Sequence, residues 1–410
     1  MRILHTSDWH LGRLLYNQRR EAEFSDFLDR LLKTLIEQDI DVLLVAGDIF
    51  DTTTPPHRAQ SLYYEFLHQV ARSTCRHVVI IGGNHDSPTF LAAPQALLRA
   101  LNVYVVAKPG ATPQDEVLVL KDQAGQAELI VAAVPYLRES DVRQVQGDEA
   151  PEAKVQQVIQ GIQEHYANVA ATAESERRRW SEKAAVPVVA MGHLFAAGGH
   201  TLEDDGVRDL YVGGLGQVSA SVFPDTFDYV ALGHLHVPQR VQQCHHIRYS
   251  GSPIPMGFGE ASQQKTVYII EFSGRSPCVR AIPIPVFQRL QRIRGDWPQI
   301  NQALEALVAE DESVWVEIVY EGDEVVPDLR ALVEATVADS QIEVLRIKNK
   351  RVVEQILQAT QSQEALEDLN EMQVFERCLQ AHEVPAWQQN RLRQLYQQAV
   401  STLLEADSQA

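Results

Sequence analysis

The sequence predicts an α/β protein: a layered sheet with flanking helices over residues 1–280, a small α+β unit over 281–350 and a helical tail over 351–410. Three observations carry this. Short, almost unbroken apolar runs recur at Ile3-Leu4, Val42–Ala46, Val78–Ile81, Val188–Met191 and Tyr229–Leu232, as in strands buried on both faces. Segments of helical period lie between the first of them. A proline cluster, Pro283, Pro285 and Pro298, then precedes a second, shorter alternation of strand and helix patterns.

Taken in order, Arg19–Gln38 carries Phe24, Phe27, Leu28, Leu31, Leu32 and Leu35 at helical spacing and completes a β-α-β unit with the strand that follows Asp41. A second helix is predicted from Arg58 to about Arg72, entered after Pro55-Pro56, and a third from about Pro94 to Leu101. Alternation of this kind argues for an α/β layered sheet. Segment 151–183 is polar and rich in Gln, Glu and Arg, and reads as a helix-permissive excursion over the surface. A turn-rich stretch, Tyr249–Pro255 and Gly257–Glu260, leads into an alternating strand at Thr266–Ile270 that closes the first domain. The second domain reads as a strand near Phe287–Arg294, a helix near Gln299–Ala309, a strand at Val314–Tyr320, a helix at Asp328–Ala338 and a strand at Ile342–Ile347. Beyond Asn349 two apolar stripes, Leu366/Leu369/Met372/Phe375/Leu379 and Leu392/Leu395/Tyr396/Ala399/Leu403, are separated by Val384-Pro385. Each stripe presents a face that a lone hairpin does not fully bury, which suits docking on a partner helix or coiled coil.

Composition bounds the class. The 410 residues exceed one ordinary core, so more than one domain is expected. No apolar run reaches the 18 or so residues of a membrane span, and Met1 runs straight into the first polar motif with no room for a signal peptide. Four cysteines without Cys-x-x-Cys spacing suit a reduced, cytoplasmic setting. The net charge of −19 is unusual for a protein that meets phosphate backbones, so positive charge is expected to be concentrated locally or supplied by a partner.

Each apolar run ends in metal-binding residue types: Asp8-Trp9-His10, Gly47-Asp48, Gly83-Asn84-His85-Asp86, Gly192-His193 and Gly233-His234-Leu235-His236. Alone, an Asp-x-His pair or a Gly-His turn is ordinarily structural. Five in this order, each at the end of a strand, point to side chains converging at one sheet edge. Oxygen and imidazole donors without nearby thiolates suit two divalent cations of the manganese or magnesium kind rather than structural zinc. A pair of ions roughly 3.5–4 Å apart clamps a phosphodiester and needs a bridging carboxylate, for which Asp48 is the candidate. The glycines before Asp48, Asn84, His193 and His234 let the chain turn sharply. His57, His68, His77, His165, His200, His245, His246 and His382 are read as surface or packing residues and His5 as a strand residue.

These motifs resemble the calcineurin-like metallophosphoesterases. The opening Met1–Gly12, with Val45–Asp51, Gly83–Ser87, Ala231–His236 and Tyr249–Pro253, is similar to the SbcD family of nuclease subunits over nearly the whole chain. The resemblance implies a metallophosphoesterase β-sandwich flanked by helices. It implies one metal held by Asp8, His10, Asp48 and His236, and another by Asp48, Asn84, His193 and His234. His85 is then the non-ligand histidine that contacts the scissile phosphate and protonates the leaving oxygen. Asp86 is its orienting neighbour, and Asp51 either supports a ligand or caps a helix. The implied function is a manganese-dependent homodimeric DNA nuclease, acting on duplex ends, single strands and hairpins with an SbcC-type ATPase, in DNA repair, recombination and replication. In this family the small domain grips DNA and the C-terminal helices bind the partner. Candidate DNA contacts are Arg346, Lys348 and Lys350, which alternate along one strand, and Arg292 and Arg294, which do the same. The plain alternative is a solvated strand face.

Two other functions are weighed. A phosphatase or cyclic-nucleotide phosphodiesterase would use the same scaffold, but related protein phosphatases place an arginine after the Gly-Asp motif, where Asp51 is here followed by Thr52-Thr53-Thr54. A catalytically idle scaffold fits poorly with an intact set of ligand positions and an intact His85.

Overall fold

The computed structural model describes residues 1–142, 151–180 (side chains from 155), 185–196, 218–322, 326, 328–349, 393 and 396. Two compact units result: Met1–Gln291 with Ser313–Trp315, and Arg292–Glu312 with the chain from Val316.

The first unit begins with β1 (Arg2–Thr6), α1 (Glu21–Glu37), β2 (Val42–Ala46), α2 (His57–Ala71), β3 (His77–Ile81) and β4 (Val103–Val106), whose strands pair in parallel in that order. The hairpin β5 (Val117–Lys121) and β6 (Ala127–Ala133) starts a second sheet. After α3 (Pro151–Trp180), β7 (Val188–His193) and β8 (Tyr229–Gly233) add in parallel, followed by β9 (Gln239–Arg240) and β10 (Ile247–Tyr249). The chain then returns to the first sheet with β11 (Thr266–Ser273), antiparallel to β1, and β12 (Ser276–Pro283). The sheets read β12-β11-β1-β2-β3-β4 and β9-β10-β8-β7-β6-β5.

Their facing sides form one core, in which Ile3, Val42, Leu44 and Val79 meet Leu129, Val131, Val189 and Ala231. The apolar stripes of α1 and α2 bury Phe24, Phe27, Leu31, Tyr63 and Phe66 on the outer face of the first sheet. Helix α3 covers the outer face of the second. A strand between a sheet and a helix is buried on both faces, which is why the motif-bearing runs are apolar throughout.

Helix α3 departs from the expectation for segment 151–183, because it packs instead of skirting the surface. Val158, Ile162, Tyr166, Val169 and Ala173 are buried against the second sheet, and Tyr166 donates a hydrogen bond to the Met191 carbonyl at 3.3 Å. The stripe advances by four, four, three and four residues, a helical period diluted by a broad polar face. The helix expected from about Pro94 to Leu101 forms over Gln95–Arg99, and a further short helix, Pro88–Ala92, precedes Pro94.

The second unit's three-stranded sheet has the order β13 (Arg289–Gly295), β14 (Val314–Tyr320), β15 (Ile342–Asn349), with α4 (Trp297–Glu310) and α5 (Leu329–Val337) between the strands. Asp296 and Gln299 form a reciprocal capping box at the start of α4, with Pro298 in its first turn. The proline read as boundary punctuation is therefore helix-initiating. The tail stripes lie outside the described residues, apart from Tyr396. No described helix is long and apolar enough to cross a membrane.

Because Ile162 is wholly buried under the second sheet, Ile162→Ala is expected to cost about 2–5 kcal/mol. Urea unfolding checks this, and a change under about 0.5 kcal/mol would return the helix to the solvated surface.

Candidate metal centre

The predicted ligands come from the carboxyl ends of five strands, three in one sheet and two in the other. They therefore meet across the mouth of the sandwich and not along a single sheet edge. Beyond β1 and β2 the backbones stay zipped: Asp8 N–H donates to Gly47 O at 3.0 Å, His10 N–H to Asp48 O at 3.0 Å and Leu11 N–H to Ile49 O at 2.9 Å. This fastens the first two motifs together. The register of β7 and β8 pairs His193 with Gly233, which brings His234 beside His193.

Asp8, His10, Asp48 and His234 all have left-handed backbones, with φ between 48° and 104°. Such conformations are costly for residues with side chains and concentrate where function holds them. Among the four glycines, only Gly47 has positive φ, at 86°. Gly83 is required for a different reason, since a Cβ there would lie 2.1 Å from Asp48 Oδ1 and 2.3 Å from the Asp48 nitrogen.

The side chains converge on Asp48. Its Oδ2 lies 3.3 Å from His193 Nε2 and 3.6 Å from His10 Nε2, and its Oδ1 accepts the His85 amide at 2.9 Å. Asn84 Oδ1 lies 2.9 Å from His193 Nε2 and 3.3 Å from His234 Nδ1. His10 Nε2 and His236 Nε2 stand 3.2 Å apart, and Asp8 joins them in one cluster of donors within 4.8 Å. Asp8, Asp48 and His193 form another such cluster. Cross-sheet bonds lock the mouth: His234 N–H donates to Asp8 Oδ1 at 2.8 Å, and His193 Nδ1 lies 3.0 Å from Ala46 O.

These residues fit two divalent cations. The donor set is two carboxylates, one amide oxygen and four imidazoles, and His193 Nε2 and His234 Nδ1 both turn to Asn84 Oδ1, at 2.9 and 3.3 Å. Burial takes His10 down to about 4 and His234 well below its ordinary value, which leaves lone pairs for coordination. Burial pushes Asp8 up to about 6 against the pull of His193 and His236. Burial would lower His193 too, but Asp48 raises it to about 9, while His193 in turn holds Asp48 well below the usual carboxylate range. A cation held by His193 would have to displace that proton, so its affinity would fall with falling pH.

His85 stands at the rim of the same cluster, with its ring centroid 4.7 Å from that of His10. Its Nδ1 lies 2.7 Å from the Asp51 carbonyl. Asp86 serves a different end from the one expected. Its carboxylate accepts the amides of Ile49, Phe50 and Gly83 at 3.1, 3.0 and 2.9 Å, clamping two motif loops together. Burial and the Asp48 charge push Asp86 up to about 7 against those donors. Asp51 caps no helix; Oδ1 accepts from Arg13 Nη1 at 3.0 Å and approaches His10 Nδ1 to 3.3 Å.

Sequence reasoning missed Glu260 and Lys265, a buried ion pair whose carboxylate approaches His236 Nδ1 to 3.4 Å. It also missed Tyr249, whose hydroxyl donates to Leu194 O at 2.7 Å and accepts the Ala196 amide at 2.8 Å, fixing the chain after His193. Glu260 follows the Gly-Phe-Gly turn noted above, and nothing in its spacing ties it to a histidine 24 positions earlier.

On the second unit's sheet, Arg292, Arg346 and Lys348 share one face, as their alternation predicts, but they surround a carboxylate. Glu317 is fully buried and pairs with Arg292, with Arg346 Nη1 at 3.6 Å and with Lys348 Nζ at 3.3 Å. Arg294 lies 4.0 Å from Glu321. Lys350 lies outside the described residues.

The calcineurin-like phosphoesterase family model matches residues 1–238, and a second model, described as the type 5 capsule protein repressor C-terminal domain, matches 286–383. The chain is 36% identical over 410 residues to SbcD, a component of the nuclease SbcCD, from Escherichia coli strain K12, covering 98% of each chain. It is 35% identical over 352 residues to the protein of the same name in Rhodobacter capsulatus, covering 82% of this chain and 84% of the relative. The chain belongs to the calcineurin-like phosphoesterases, in the SbcD family. That membership accounts for the divalent-metal donor set.

The Asp86 clamp gives an expected outcome. Asp86→Asn turns one acceptor into a donor opposite a buried amide, at a cost of about 1.5–3 kcal/mol. Unfolding measurements check it. Unchanged stability with turnover reduced more than a hundredfold would make Asp86 a proton-carrying group instead.

Proposed function

We propose that this chain is a metal-dependent DNA nuclease subunit that digests duplex ends and cuts single strands and hairpins together with an SbcC-type ATPase, in DNA repair, recombination and replication. The observation that carries the proposal is the convergence of six predicted ligands, Asp8, His10, Asn84, His193, His234 and His236, about the seventh, the buried Asp48, at the mouth of the sandwich. The near full-length match to a relative named for SbcCD nuclease activity supports the substrate and the partner.

Asp8, His10, Asp48 and His236 would hold one cation and Asp48, Asn84, His193 and His234 the other, with Asp48 shared; we assign manganese, with magnesium the alternative. When bound, the cations supply Lewis-acid polarisation of the phosphodiester and acidify a water to a nucleophile at neutral pH. His85 does the proton work. The Asp51 carbonyl only accepts, so it keeps the proton on His85 Nδ1 and leaves Nε2 to contact the scissile phosphate and, when protonated, to donate to the leaving oxygen. Asp86 contributes by holding the loop that carries His85.

The acidic chain needs a local positive surface for DNA. Arg292, Arg346 and Lys348 gather on one face around Glu317, and we assign these three, with Arg294 and Lys350, to phosphate contact. We assign the tail beyond residue 351 to the ATPase, the assembled form to a homodimer and the compartment to the cytoplasm.

Metal-stripped protein is expected to lose phosphodiesterase activity and to recover it best with manganese. His85→Ala is expected to keep both cations, by elemental analysis, while turnover falls on the order of 10²–10⁴-fold. Full activity without metal, or loss of metal in His85→Ala, contradicts these roles.

Neutralising Arg346, Lys348 and Lys350 together with Glu317→Gln, so that no buried carboxylate loses its partners, is expected to weaken duplex binding. The salt dependence should flatten by about 0.9 per lost phosphate contact. Parallel salt slopes for parent and variant would assign this face to solvent.

A further inference from the structure

The two halves of the metal centre are built unequally behind their histidines. His10 and His236, which turn Nε2 toward each other, each have a carboxylate at the opposite ring nitrogen: Asp51 Oδ1 lies 3.3 Å from His10 Nδ1, and Glu260 Oε1 lies 3.4 Å from His236 Nδ1. On the other side, among the described residues, His193 Nδ1 meets the neutral Ala46 carbonyl and no carboxylate stands at His234 Nε2; at His10 Nδ1, equally without a hydrogen bond, the Asp51 carboxylate lies 3.3 Å away. Both carboxylates are themselves held. Arg13 bonds Asp51, and Lys265 Nζ bonds Glu260 while also donating to the His236 carbonyl and Ser252 Oγ at 3.0 Å.

Glu260 is the more telling of the two. It is fully buried with Lys265 nearly so, and its Oε2 accepts from the Met256 amide at 3.1 Å and from Ser252 Oγ at 3.2 Å. All of that fastening falls on Oε2. Among the described residues Oε1 is buried with no hydrogen bond, and it points at the imidazole. A buried ion pair contributes little net stability compared with an apolar pair of the same size, so stability alone does not explain an arrangement that leaves one carboxylate oxygen for a ligand histidine. A carboxylate behind an imidazole fixes its tautomer, orients the ring and raises its basicity toward a cation.

We infer that Glu260, anchored by Lys265, and Asp51, anchored by Arg13, are positioning residues for His236 and His10, and that they make the Asp8–His10–His236 position the tighter of the two, so that the cations bind in order. This rests on the two-cation reading above and adds a rank to its two positions. The other position, whose histidines have no carboxylate behind them among the described residues, fills second.

The test is a manganese titration of the full-length, metal-stripped protein, with free Mn²⁺ followed by electron paramagnetic resonance. The parent is expected to show two classes of site. Glu260→Gln and, separately, Asp51→Asn are expected to weaken the tighter class by about 10–100-fold while the weaker class keeps its affinity. A general loosening of the fold would move both classes together, so selectivity separates positioning from a structural role. Should Glu260→Gln fail to fold because Lys265 is left as an uncompensated charge, Glu260→Gln with Lys265→Met replaces the pair, and the partly exposed Asp51 supplies an independent arm. Isotherms of the variants that overlay the parent's two-step curve, or that shift both classes equally, overturn the inference while leaving the two-cation centre standing. A parent that binds no Mn²⁺, or one ion only, overturns both.

Discussion

Two carboxylates, Asp8 and Asp48, lie almost wholly out of water at the seam of two sheets, and the rest of the site follows from making that burial tolerable. Desolvation of an ionised carboxylate costs several kcal/mol unless charge and hydrogen bonds compensate. Here the compensation is local and specific. Ser7 and the His234 amide bond Asp8, the His85 amide bonds Asp48, and His193 is drawn to the protonated form beside it. Apart from Ser7, which adjoins Asp8, these donors come from separate strand ends, so the charge is satisfied only when the sandwich has closed. A cation held here would therefore be coupled to folding through the same atoms.

The seam is also held from behind. His5, buried between the sheets, lies 3.0 Å from Tyr229 Oη and 3.2 Å from Leu232 O, and burial takes it down to about 3, so it stays neutral. It links the strand that delivers Asp8 to the strand that delivers His234. The left-handed backbones at four ligand positions are strain that the zipped loops and the Asp86 clamp sustain. Precision at the mouth thus rests on rigidity in the two sheets below it.

Much of this was legible in the sequence because strands buried on both faces announce themselves as unbroken apolar runs, and a polar residue at the end of such a run has few reasons to be there. The strand ends that carry the five motifs, the β-α-β start, the strand Val314–Tyr320 and the helix beginning near Arg58 all follow from that local pattern, whereas the assignment of seven residues as ligands came from the family resemblance. Relations across the sandwich were hidden. The sequence pattern placed the ligands on one edge, whereas two sheets contribute them. Period alone did not reveal α3 as a packed layer, because its narrow stripe is outweighed by polar residues. Asp86 and Glu260 show the limit most clearly: one was taken for a partner of the adjacent histidine and clamps loops about 35 residues apart, the other had no sequence cue and backs a ligand from beyond the turn. Side-chain partnership at long sequence separation is a property of the fold.

The central claim is that Asp48 joins two cations between the sheets, and its most direct test is a crystal structure of the full chain grown with manganese, with anomalous differences collected at the manganese edge. The account expects two peaks about 3.5–4 Å apart, both in contact with Asp48, one flanked by Asp8, His10 and His236 and the other by Asn84, His193 and His234. A single peak, or two peaks of which one does not touch Asp48, would contradict it.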